Sequence, residues 1–129
     1  DSQGIDPSKF GEYDKYKAES KVLFGDLKAG DGATAADGQT ATVVYKGWLT
    51  NGQLFDQSQT NAEGKLEAFQ FKIGAGQVIA GWEQGITGMK VGGVRLLVVP
   101  PAVGYGTTDH GPIPANSVLV FQVQLVDVK

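Results

Sequence analysis

The sequence contains no cysteine and a single histidine, His110. The first absence removes disulfides, thiol nucleophiles and thiolate metal sites together. The second rules out histidine clusters for zinc and leaves a Ser-His-Asp triad only one imidazole to recruit. No metal and no cofactor is expected. An excess of positive charge is also lacking: 11 Lys and Arg stand against 14 Asp and Glu, for a net charge of −3 and a pI near 5.0. That leaves no electrostatic footprint for a phosphate backbone, so nucleic acid is not an expected partner. No apolar run approaches the roughly 18 residues of a membrane span, and the stretch that opens at Asp1 is polar, so neither a spanning helix nor an intact signal peptide is expected. The compartment stays open: the cytoplasm, or the cell envelope after removal of an N-terminal signal.

What is present suits one globular domain. A chain of 129 residues, 41% hydrophobic and 19% charged, has enough apolar material for a core and too little charge for a solvated, disordered chain. Its 19 glycines amount to about twice the usual share, and they stand singly or in pairs between apolar runs, as turn punctuation for short strands.

Period-two patterning dominates from Lys21 onward. Val22-Leu23-Phe24 reads as a first strand closed by Ala29-Gly30-Asp31-Gly32. In the run 41–49, Ala41, Val43, Tyr45, Gly47 and Leu49 share one face, the pattern of a half-buried strand. Asn51-Gly52 then supplies the positive φ angles of a type I′ hairpin, and Leu54-Phe55 begins the return. Residues 57–67 are polar and read as a loop; Phe69, Phe71 and Ile73 alternate with Gln70 and Lys72 as a one-sided strand. Val78 through Ile86 is the one helical stretch after that, with Ile79, Trp82 and Ile86 on one side, and Gly81 and Gly85 within it imply close approach to a sheet. Two further strands, Val94–Val99 and Ser117–Val128, flank a long Pro/Gly/Thr-rich connection. Five to six strands and one short helix without a β-α-β rhythm predict an α+β fold, an antiparallel twisted sheet wrapped around that helix.

Several local features invite a chemical reading. Gly74-Ala75-Gly76 lies between a strand and a helix, where a dinucleotide fingerprint would begin, but the third glycine position is Ile79 and no parallel unit surrounds it. A tight turn accounts for it better. His110 sits in a loop without a second titrating partner fixed by sequence, and Asp56 fits a strand-end turn as well as an active site. The aromatics Tyr45, Phe55, Phe69, Phe71, Trp82, Tyr105 and Phe121 come from nearly every element. Read from periodicity alone, they suit a packed core and an apolar ligand pocket equally.

In combination, Val44-Tyr45-Lys46-Gly47, Phe55-Asp56, the run 76–83 (Gly-Gln-Val-Ile-Ala-Gly-Trp-Glu), the run 88–93 (Gly-Met-Lys-Val-Gly-Gly), Gly104-Tyr105-Gly106, Ile113-Pro114 and Leu119-Val120-Phe121 resemble the FKBP-type peptidyl-prolyl cis-trans isomerases, the immunophilins that bind tacrolimus and rapamycin. The resemblance runs from Val22 to Val128 and implies the same fold. It implies a peptidyl-prolyl isomerase acting in protein folding on proline-containing polypeptides, bound by macrolide inhibitors, and a monomer. The rival reading is a non-catalytic peptide-binding or chaperone module of the same fold, whose mark would be loss of the aromatics or of the Asp56/Tyr105 pair; all are present. The family's site carries over to Trp82 as floor, to Tyr45, Phe55, Phe69, Val78, Ile79 and Phe121 as walls, and to Asp56, Tyr105 and the Ile79 N–H as polar tips. His110 and Ile113 fall on the overhanging loop. Asp56, Tyr105, Phe121 and Trp82 are the implied catalytic residues. Three departures accompany this. Gln77 stands where many members carry an acid, the 57–68 loop is longer than in small members and lacks their arginine, and the 110–114 overhang is one residue short.

Residues 1–20 match nothing in the family and are read as an N-terminal extension to an isomerase domain over 21–129. Asp6-Pro7-Ser8 is a helix start, and Phe10, Tyr13, Tyr16 and Lys17 recur at helical spacing. The alternative is a linker. If the stripe packs on the domain, it lies on the outer surface of the sheet rather than in the groove, because Pro7 is the segment's only proline and Asp6 before it has no apolar side chain.

Overall fold

The computed structural model describes residues 21–50, 53–58, 62, 67–106, 113 and 115–129, with Asp56 described in its backbone only. The expected extension, the Asn51-Gly52 turn, most of the 57–67 loop and His110 therefore lie outside the described residues. Six strands form one antiparallel sheet: β1 (Leu23–Lys28), β2 (Thr40–Leu49), β3 (Leu54–Gln57), β4 (Phe69–Lys72), β5 (Val94–Val99) and β6 (Leu119–Val128). Their order is β1-β5-β6-β2-β3, with β4 also paired to β2. The ten-residue β2 runs along β6 on one side and divides its other edge, giving Thr40–Val43 to β4 and Lys46–Trp48 to β3. One helix, α1 (Ala80–Ile86), and a 3-10 turn at Pro101–Val103 complete the regular structure of the described residues.

The core lies between the sheet and α1. Val43, Leu97, Val99, Leu119, Phe121, Val123 and Leu125 point down from the sheet onto Trp82, Ile86 and Met89. The two helical glycines let these layers close. A Cβ at Gly81 would stand 2.7 Å from Val99 Cγ1, and one at Gly85 would stand 2.5 Å from Leu97 Cδ2. Only hydrogen fits there, and the close packing offsets the intrinsic cost of glycine in a helix.

Some boundaries differ from those expected. The helix begins at Ala80 rather than Val78, because Ile79 is its N-cap, with an extended backbone at ψ 151°. Val78 and Ile79 are thereby left in the approach to the helix. The first strand runs on to Lys28, past Gly25 and Asp26, residues with little strand preference of their own. Pairing with β5 holds it, and so does Arg95, whose Nε donates to Asp26 Oδ1 at 2.7 Å while its Nη1 donates to the Gly85 carbonyl at 2.8 Å. The guanidinium also lies 4.2 Å over the Phe24 ring. One buried cation thus joins edge strand, sheet and helix.

Candidate functional site: an aromatic cavity over the helix

Six elements bring their aromatics to one place. Tyr45 comes from β2, Phe55 from β3, Phe69 from β4, Trp82 from α1, Tyr105 from the turn after Val103 and Phe121 from β6. With Gln77, Val78 and Ile79 they line a cavity of about 220 Å³. Trp82 is the hub, with ring centroids 4.9 Å from Tyr45, 5.3 Å from Phe121, 5.9 Å from Phe71 and 6.1 Å from Phe69. Three of these contacts are edge-on, the arrangement that brings a positive ring edge to a negative ring face. Phe55 meets Phe121 edge-on at 5.5 Å. Gly47 makes room for that pair, since a Cβ there would come within 2.8 Å of Phe121 Cε1 and 2.9 Å of Phe55 Cζ.

The described lining is built mainly from aromatic and aliphatic side chains and carries no charged one, with polar atoms exposed among the rings. Ile79 is positioned by the first helical turn, where its carbonyl accepts from the Trp82 and Glu83 amides; its own N–H donates no bond among the described residues. The indole N–H of Trp82 is buried and likewise without a partner.

Three polar residues hold these walls; Gln77 and Glu83 fall in the run 76–83 that carries the resemblance, and Ser58 alone carries no mark in the sequence. Ser58 faces Tyr45 in a reciprocal clasp: the Tyr45 amide donates to Ser58 Oγ at 2.9 Å, and the Ser58 amide donates to the Tyr45 carbonyl at 2.9 Å. Glu83 Oε2 accepts from both the Gly74 and Gly76 amides at 3.0 Å. These two glycines have φ of 87° and 75°, the left-handed region, so the turn into the cavity wall is bent by glycine and fastened by a carboxylate from the helix. Gln77 Oε1 accepts from the Lys72 amide at 2.8 Å, closing the same turn against β4. The amide that replaces the acid expected at this position is therefore engaged with the backbone. Regular spacing leaves no trace of such bonds from side chain to backbone.

Of the residues singled out from sequence, Tyr45, Phe55, Phe69, Gln77, Val78, Ile79, Trp82, Tyr105 and Phe121 all line this one cavity. Asp56 pairs through its backbone with Gly47 at the same end of the sheet. Ile113, expected on the overhang, is buried in the main core cluster and is not part of the lining. Phe71 is buried against Phe69 and Trp82 and is not part of the lining. Among the described residues no group of three or more His, Cys, Asp or Glu could hold a metal, and no helix is long and apolar enough to cross a membrane.

The model of the FKBP-type peptidyl-prolyl cis-trans isomerases matches residues 32–126. A Saccharomyces cerevisiae peptidyl-prolyl cis-trans isomerase is 44% identical over 128 residues, covering 95% of this chain and 30% of that protein. FK506-binding protein 3 of Candida albicans is 44% identical over 120 residues, covering 89% and 27%. The chain thus spans less than a third of the length of these relatives. Among solved structures, AtFKBP13 superposes with a TM-score of 0.73 at 36% identity, over 84% of this chain and 93% of that one. FkpA from Escherichia coli does so with 0.74 at 35%, over 95% and 58%. A match through nearly the whole sheet, helix and cavity, at this identity, means that the chain belongs to the FKBP-type peptidyl-prolyl cis-trans isomerase family.

Proposed function

We propose that this chain accelerates cis–trans rotation about X-Pro bonds in polypeptides and that the aromatic cavity is where it does so. The observation that carries the reading is the cavity itself, a cup floored by Trp82 and walled by five further aromatic rings, with no charged side chain in its described lining. Rotation about a peptide bond has a barrier of about 18–20 kcal/mol because it destroys amide resonance. No covalent bond is made or broken, so no nucleophile is required. A planar amide is strongly polar and well solvated, whereas the twisted one has lost much of its charge separation. An apolar cup therefore favours the twisted form relative to water.

In this reading the prolyl ring lies over Trp82 between Tyr45, Phe55 and Phe121, which supplies binding energy, and the amide sits above it. The Tyr105 hydroxyl and the Ile79 N–H orient the chain on either side of the rotating bond. We assign the catalytic part to Trp82, Phe121, Tyr105 and Asp56. Tacrolimus and rapamycin would occupy the same cup, a reading supported by relatives whose names describe them as FK506-binding.

A protease-free assay of a Leu-Pro or Phe-Pro peptide tests this. Micromolar protein should relax the cis form well above the thermal rate, and tacrolimus or rapamycin should abolish the increment. A rate equal to the uncatalysed one, with tacrolimus still bound, would leave a peptide-binding module without catalysis.

A further inference from the structure

We infer that residues 1–20 dock along an apolar row crossing the outer face of the sheet, the face away from α1. The strand registers set Leu23 beside Val98, Val98 beside Val120, Val120 beside Trp48 and Trp48 beside Leu54. One line across five strands is therefore apolar from end to end. Its members alternate along their strands with Leu97, Val99, Leu119 and Phe121, which belong to the core under α1, so the row faces the other way. Among the described residues, Trp48 and Val120 form a cluster of their own, with only Leu96 packed against it.

An uncovered sheet face would leave these side chains wet. Instead Trp48 is 7% exposed, Val98 5% and Val120 0%, whereas Leu54 at the β3 end is 41% exposed, so the cover lies over the row from β1 to β2. The side-chain oxygen of Gln122, on the same face of β6, is equally closed off from water and accepts no hydrogen bond. A buried polar atom of that kind is not a feature of a solvated face. The helix and the 3-10 turn send their apolar side chains to the opposite side, so neither supplies the cover.

Three features select the occupant. Outside the described residues, Phe10, Tyr13 and Tyr16 are the only aromatic side chains. The segment that carries them joins the described chain at Lys21, two residues before Leu23, the first member of the row. Its length also fits, since a helix over residues 7–17 spans about 16 Å and the four strands from β1 to β2 span about 14 Å. The amphipathic stripe is too short to be helical alone, and a row of buried apolar side chains is what would order it.

The test uses the full chain with Phe10, Tyr13 and Tyr16 all changed to Ser. Docking on the row predicts a melting temperature lower by about 5 °C or more, together with shifted NMR signals from the Val98 and Val120 methyls and the Trp48 indole. Unchanged melting and unchanged signals would show that the segment does not dock. A several-fold faster Leu-Pro isomerase rate with those signals unmoved would place it in the cavity instead. A parent protein that sediments as a dimer, with the row's signals moving on dilution, would assign the cover to a second copy. The thermal and NMR readouts do not depend on the chain being an isomerase.

Discussion

Tyr105 and Phe71 separate the two duties that aromatic residues have in this molecule. Tyr105 is half-buried at the cavity edge on a turn, and Phe71 is 2% exposed behind the floor. Tyr105→Phe removes one hydroxyl, so tacrolimus binding should weaken by about 1 kcal/mol, roughly fivefold, with the melting temperature almost unmoved. Phe71→Ala empties a packed site and should lower the unfolding free energy by about 3–5 kcal/mol in urea titration. The opposite pattern would put Tyr105 in the core and Phe71 at the edge. Period-two spacing cannot make this distinction, because a wall of the cup and a member of the core both alternate with polar neighbours; the family motifs made it. Ser58 and Arg95 were illegible for another reason. Each acts through a hydrogen bond to a distant element, and Arg95 reaches Asp26 across 69 positions of sequence.

At the scale of elements, α1 is a seven-residue helix that holds position by contact rather than by propensity. Gly85→Ala puts this to measurement. Alanine gains about 1 kcal/mol of intrinsic helix preference, yet its methyl would meet Leu97 Cδ2 at 2.5 Å. Overpacking typically costs about 1–3 kcal/mol, so a net loss of roughly 1 kcal/mol is expected, read as a lower urea midpoint with an unchanged slope. A gain would mean that Leu97 can rotate away and that the layers are less tight than described. Most elements were readable beforehand: β5 has the bounds its apolar run implied, and β2 differs by a single residue. The helix start was not, since Val78 and Ile79 are apolar at helical spacing but serve as cavity wall and N-cap. The length of β1 was not either, because its second half is held by pairing and by Arg95 rather than by its own residues.

For the molecule as a whole, a ligand that enters the cup must stabilise everything beneath it, since the floor Trp82 belongs to the main core. Tacrolimus at a hundred times its Kd should add about 2.7 kcal/mol to the unfolding free energy, seen as a higher melting temperature. No shift at that excess would deny the cup affinity for macrolides. The strand order carries a different consequence, one that concerns synthesis. β6 is the last strand of the sheet to be made, yet it lies in the interior, between β5 and β2. Until residues 119–128 have emerged from the ribosome, β1 with β5 and β2 with β3 and β4 can only be two half-sheets. Each then presents an open edge of unpaired N–H and C=O groups, a ready template for a neighbouring chain. A nascent chain paused just before Leu119 is therefore at its most prone to aggregate, and arrival of the closing strand removes both open edges at once.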